Sequence, residues 1–208
     1  MRTIGTVLFP GFELLDVFGP LEMFGALADD YRLVTLAETA GPVESRQGPR
    51  AVVDIALGEA DTYDILLVPG GRGTRREVDN SALIAWLRRH AEACETVATV
   101  CTGTALLART GLLDGRKATT NKASFDWVRT QGPGVDWQPR ARWVVDGKYW
   151  TSSGVSAGMD MALALIARLN GAETAQRVAT YAEYRWNVDP DDDPFSALYD
   201  LGVGVGKT

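Results

Sequence analysis

Apolar residues come along this chain in short blocks, and the spacing within each block names the element it forms. Ile65–Val68 (ILLV) is apolar throughout, and Thr96–Val100 (TVATV) is β-branched apart from one alanine. Neither alternates, so both read as strands covered on two faces. Residues 3–8 (TIGTVL) read the same way, and Tyr31–Ala37 alternates as a strand with one wetter face. Helical periods lie between them. Residues 81–94 carry Leu83, Ile84, Leu87, Ala91 and Cys94 on one stripe, opposite Arg88, Arg89, Glu92 and Glu95.

Further helices are predicted over residues 102–109, stopped by Thr110-Gly111, over 124–129, over 155–170, closed by Gly171, and over 172–186. Residues 13–28 read as a helix broken at Gly19-Pro20, because proline lacks the N–H an interior turn needs. Short strands are expected in 43–53 around Gly48-Pro49 and in 117–120. Residues 143–151 read as a hairpin turning at Asp146-Gly147, and 189–194 as an exposed acidic loop. Strands alternating with helices imply an α/β fold with a mainly parallel sheet.

Composition narrows the class. The chain has 208 residues, 46% of them hydrophobic and 23% charged, which suits one soluble domain over 1–208, with 187–208 as an acidic loop and C-terminal tail. The net charge of −6 argues against nucleic acid and acidic membranes as partners. No apolar run approaches the roughly 20 residues of a membrane span. The N-terminus reads as a strand and turn rather than a secretion signal, and two cysteines do not make a disulfide framework. A cytoplasmic location is expected.

The chemistry gathers where strands end, the place at which α/β sheets bind ligands. Cys101 follows Val100 and opens a predicted helix, the strand–turn–helix geometry of a nucleophile elbow. Partial positive charge at the helix start favours thiolate, and the Thr102 amide points to where an anion would form. Gly70 and Gly71 can bring further N–H groups close, as in an oxyanion hole. Asp16 lies among apolar side chains in LLDVFGPLEMF. Buried there, its carboxyl would be raised and could exchange a proton with the sulfur or with water. Glu22 competes with it for this role.

A free cysteine is as often a small buried hydrophobe, and an aspartate near a helix start is more often a cap. The one histidine, His90, lies before a strand of roughly 16 Å that leads to Cys101, so it is expected at the far sheet edge, exposed or on a rim. A Cys-His dyad is therefore disfavoured, and no Cys/His cluster suggests a metal. GGRG (70–73) lacks the dinucleotide spacing and precedes no evident helix. The terminal GVGVGKT has Leu201 where a phosphate loop needs its first glycine. Cys94 reads as core, and the aromatic residues of 181–186 as packing or a subunit contact.

FPGFELLDVFGPLEMF, DILLVPGGRG, VATVCTGTALLARTGLLDGRKATTN and SSGVSAGMDMALALI, taken in order, resemble the ThiJ/PfpI superfamily across roughly residues 3–185. The resemblance implies a flavodoxin-like sandwich, a cysteine at an elbow and a homodimer with its site near the interface. Within the superfamily the chain looks most like the isocyanide hydratase subgroup, which turns an isocyanide and water into an N-formamide. That likeness implies Cys101 as nucleophile, Asp16 as general acid/base, Thr102 beside them and Val155 on the pocket wall. Asn121 stands where many members carry histidine, which weakens protease, deglycase and glyoxalase readings. Gly70, Gly71, Val155 and Asn121 are the expected substrate contacts, Phe12 a further wall, and the expected substrate is a small apolar isocyanide in a hydrophobic pocket. The implied chemistry uses no cofactor. The rivals are a glyoxalase-like or thiol-stress enzyme, and a cysteine-based redox or ligand sensor.

Overall fold

The computed structural model describes residues 1–59, 62–199 and 201. The remaining residues, among them the GVGVGKT end, lie outside the described part, as does the end of the predicted tail.

In chain order the elements are β1 (Arg2–Val7), α1 (Leu14–Gly25), β2 (Tyr31–Ala37), β3 (Gly41–Glu44), β4 (Arg50–Val53), β5 (Ile55–Ala56), β6 (Ile65–Val68), α2 (Thr74–Glu77) and α3 (Ser81–Ala93). Then come β7 (Thr96–Val100), α4 (Gly103–Arg109), β8 (Lys117–Ala118), α5 (Phe125–Gln131), β9 (Asp136–Trp137), β10 (Trp143–Asp146), β11 (Tyr149–Ser152), α6 (Ala157–Asn170) and α7 (Ala172–Tyr181). Seven strands form one sheet in the order β10-β11-β7-β6-β1-β2-β5. Every neighbouring pair is parallel except β10–β11. This is the mainly parallel sheet that the residue pattern predicts, in the flavodoxin-like sandwich that the family resemblance implies.

Both faces of the sheet are covered, which is why its central strands do not alternate in polarity. Along β6, Leu66 and Val68 pack into one core with Leu87 of α3 and Leu106 of α4. Ile65 and Leu67 point the other way, into a core with Phe24 of α1, Leu163 of α6 and Val178 of α7. Among the described residues no helix is long and apolar enough to cross a membrane.

Several local expectations change. α1 runs unbroken through Pro20. Its Gly19 packs so close to α6 that a Cβ there would stand 2.8 Å from Met159 Cγ. Tertiary contact holds a turn that local propensity would interrupt. A short helix, α2, does follow the GGRG segment. The hairpin turns at Gly147-Lys148, one residue later than expected, because Asp146 still pairs with Tyr149.

α7 stops at Tyr181 rather than 186, where the chain leaves the helix and Glu183 takes a positive φ of 48°. That departure lets the Tyr184 hydroxyl and the Trp186 indole N–H reach Asp160. The acidic loop is not wholly exposed either. Pro190 accepts from the Arg142 and Trp143 amides, and Asp193 is buried 4.0 Å from the Arg142 guanidinium.

Candidate active site

β7 ends at Val100, and the chain turns sharply so that α4 can start at Gly103. The turn forces Cys101 to a φ of 57°, a left-handed conformation that costs a non-glycine residue energy. The neighbours hold it there. The Cys101 amide donates to the Ser152 and Ser153 carbonyls, and the Cys101 carbonyl accepts from the Thr120 hydroxyl at 2.7 Å. Gly103 lies so close to β6 that a Cβ would stand 2.6 Å from the Pro69 carbonyl oxygen. The elbow is therefore fixed by β6, β11 and the segment after β8, and not by its own propensity.

Asp16 sits on the first turn of α1, fully buried beneath the elbow, where its Oδ2 accepts from the Gly70 amide at 2.9 Å. Oδ1 has no hydrogen-bond partner among the described residues. The Cys101 thiol is near enough to lower the Asp16 carboxyl slightly, without aligning as a full hydrogen bond to Oδ1. Gly70 has to be glycine. A Cβ there would stand 2.5 Å from the Thr102 nitrogen and 2.9 Å from Asp16 Oδ2. Thr102 is locked in turn. Its hydroxyl donates to the Gly71 carbonyl and accepts from the Gly71 amide and the Thr74 hydroxyl.

The charge states are set by burial. Desolvation pushes the Asp16 carboxyl up to about 8; the Gly70 N–H opposes this, the nearby Glu13 carboxylate adds to it, and the thiol opposes it weakly. Desolvation also raises the Cys101 thiol well above 9.0. Asp16 and Glu13 push the same way, while the Thr102 amide and hydroxyl pull down. The expectation that the helix start makes Cys101 a thiolate is thus corrected. α4 is a short helix, and burial beside two carboxyl groups outweighs its dipole. Below about pH 8 the pair carries two protons, and the two groups titrate together.

Above the sulfur opens a cavity of about 430 Å³ lined by Cys101, Thr102, Gly71, Asn121 and Val155. The structure thus gathers Cys101, Thr102, Gly71, Asn121 and Val155 on one surface, with Asp16 and Gly70 directly beneath. Asn121 Oδ1 accepts from the Ser124 amide, which turns its NH2 group toward the site. Gly154 makes room for that amide and for the thiol, since a Cβ would stand 2.8 Å from Cys101 Sγ.

Other expected residues lie elsewhere. Phe12 is fully buried in the core and does not line the cavity. Glu22 is exposed on α1 and away from the site. His90 is buried, not exposed. Its ring stacks 3.8 Å from Trp86 and contacts the Trp86 carbonyl, so it plays no part in lining the cavity.

The sequence reading missed Glu13 and three arginines, Arg46, Arg72 and Arg75, all of which line the cavity. The hydrophobic pocket it expected is therefore a polar, charged one. Two of the arginines stand in the GGRGTRR run and could have been noticed there. Arg46 comes from the β3–β4 turn, which only the tertiary structure brings near.

The sequence profile of the DJ-1/PfpI family matches residues 2–168. Isonitrile hydratase from Pseudomonas putida is 34% identical over 183 residues, covering 87% of this chain and 78% of that protein. The HTH-type transcriptional regulator CdhR of Pseudomonas aeruginosa is 32% identical over 83% of this chain, which spans 52% of the regulator's length. Among solved structures, a ThiJ/PfpI family protein from Pseudomonas syringae superposes with a TM-score of 0.82 at 28% identity, covering 89% of this chain and 76% of that one.

Proposed function

This chain belongs to the DJ-1/PfpI family, and from that membership we propose that it is an isocyanide hydratase, a lyase that adds water to R–N≡C to give R–NH–CHO. One observation carries the reading: the thiol at the elbow has a buried carboxyl, Asp16, as its neighbour, and no histidine lines its cavity. The similarity to isonitrile hydratase supports it.

In the proposed cycle the reactive form of the pair carries one proton. Asp16 carboxylate takes the thiol proton of Cys101 as the sulfur adds to the terminal isocyanide carbon and forms the C–S bond. The same carbon takes the proton from Asp16, giving the thioimidate R–N=CH–S–Cys101. Asp16 carboxylate then accepts a proton from water as the oxygen bonds to that carbon, and passes it to the nitrogen. The intermediate R–NH–CH(OH)–S–Cys101 expels the sulfur, whose proton comes from the new hydroxyl. This is covalent catalysis combined with acid–base catalysis by one carboxyl. The Thr102 amide lies beside the sulfur, and the Asn121 NH2 group can donate to the hydroxyl oxygen. In this reading the enzyme is a cytoplasmic homodimer.

Formamide release from an alkyl isocyanide tests the proposal. Cys101→Ala is expected to lose turnover by at least about 10⁴-fold, the scale of removing a nucleophile. Wild-type-like turnover by that variant would sink the covalent scheme. The similarity to CdhR favours a second reading, a ligand-sensing domain. A sensor would bind isocyanide or another small molecule at the same cavity without releasing product.

A further inference from the structure

The cavity over Cys101 is lined by three arginines, Arg46, Arg72 and Arg75, against one carboxylate, Glu13, in a chain whose net charge is −6. Resting on the hydratase reading, we propose that this site takes an anionic isocyanide, one that carries a carboxylate a few bonds from its isocyano group.

The three arginines are placed in different ways. Arg46 is anchored by Glu13 at 3.6 Å on one side of the opening. Arg75 donates to Ser124 Oγ at 3.1 Å and lies 4.3 Å over the Trp127 ring on another side, beside Asn121. Each keeps guanidinium N–H groups that these partners do not use.

Arg72 has no side-chain hydrogen bond or ion pair among the described residues. Its backbone, however, is pinned on both sides. Gly71, at a φ of 121°, approaches so closely that a Cβ would stand 2.5 Å from the Glu13 nitrogen, and a Cβ on Gly73 would collide with the Pro10 carbonyl. A guanidinium without a partner among the described residues is thus carried on a fixed stretch of backbone at the rim of the reactive cavity. A second opening, lined also by Arg76 and by one carboxyl residue, Glu44, continues the same three arginines outward.

An apolar isocyanide needs none of this. A carboxylate fits it, because arginine forks match carboxylates and these bonds are the strong, charge-assisted kind. The reacting end is neutral and can enter the buried elbow, while the charge stays on the rim. The balanced reaction is −OOC–(CH2)3–N≡C + H2O → −OOC–(CH2)3–NH–CHO for 4-isocyanobutanoate.

The test has two arms. In the first, hydration of 4-isocyanobutanoate is compared with hydration of its methyl ester. The expected kcat/KM ratio favours the carboxylate by about tenfold, the size of one charge-assisted contact. The advantage should reside mainly in KM, shrink at about 0.5 M salt, and fall toward unity in Arg72→Gln. Equal turnover of the two by wild type overturns the proposal.

The second arm is independent of hydration. Alkylation of Cys101 by iodoacetate and by iodoacetamide is followed by peptide mass spectrometry. The iodoacetate-to-iodoacetamide rate ratio should drop several-fold in Arg72→Gln. An unchanged ratio overturns the anion site. A falling ratio with no hydration of either isocyanide keeps the anion site and removes the hydratase reading.

Discussion

Asp16→Asn removes a carboxyl that the fold holds against its own ionisation. The side chain is fully buried, and burial lifts it from 3.8 to about 8. The folded state therefore binds this proton more tightly than the unfolded chain does. The group's contribution to stability is fully present below pH 3.8 and is lost as pH rises through about 8. The loss accrues at about 1.4 kcal/mol per pH unit, so it amounts to about 4 kcal/mol between pH 5 and 8. Asparagine has the same shape, can still accept from the Gly70 amide, and carries no charge.

The assay is urea unfolding followed by tryptophan fluorescence, for wild type and variant, at steps from pH 5 to 8. The difference in unfolding free energy should widen steadily with pH in favour of the variant. Groups that titrate alike in both proteins cancel. The raised Cys101 thiol lies above this window. Hydration activity should vanish in the same variant, so stability and function would move in opposite directions. Parallel pH curves, with a difference constant to within about 0.5 kcal/mol, would refute the buried neutral carboxyl.

The same titration predicts the pH profile: kcat/KM for hydration should rise with pH and level off above about 8 as Asp16 loses its proton. A flat profile between pH 6 and 9 would contradict the coupled pair. Gly70→Ala should cost a few kcal/mol in thermal or urea unfolding and abolish turnover, because its Cβ meets the Thr102 backbone nitrogen rather than a movable side chain. His90→Phe should leave kcat/KM within about twofold, since the ring stacks on Trp86 and meets the Trp86 carbonyl, away from the cavity. A loss of 100-fold or more would restore imidazole to the mechanism.

The fold was legible wherever a local period decides it. β2, β6 and β7 lie on the residues the hydrophobic pattern assigns, and α3 differs by one residue at its end. Misreadings fall where a distant contact overrides local propensity. α1 passes through Pro20 because α6 packs against it, and α7 ends early because Tyr184 and Trp186 are drawn to Asp160.

The candidate site divides along the same line. Cys101, Asp16 and Gly70 could be picked out because each follows a strand or sits among apolar residues in an order that is itself informative. Their charge states could not. A helix start argues for thiolate, and only the packed structure shows that two carboxyl groups and near-complete desolvation reverse that preference. The character of the cavity was hidden for a similar reason. Arg46 and Arg72 are far apart in sequence, and the β3–β4 turn has to fold over the Gly71–Gly73 segment before they face one opening. By itself, then, the sequence determined the strands and helices that a local period marks, and which thiol and carboxyl stand at their ends, because these depend on neighbours along the chain. Tertiary structure decided the protonation and the charge around them, because desolvation and Coulomb energy depend on distance through space.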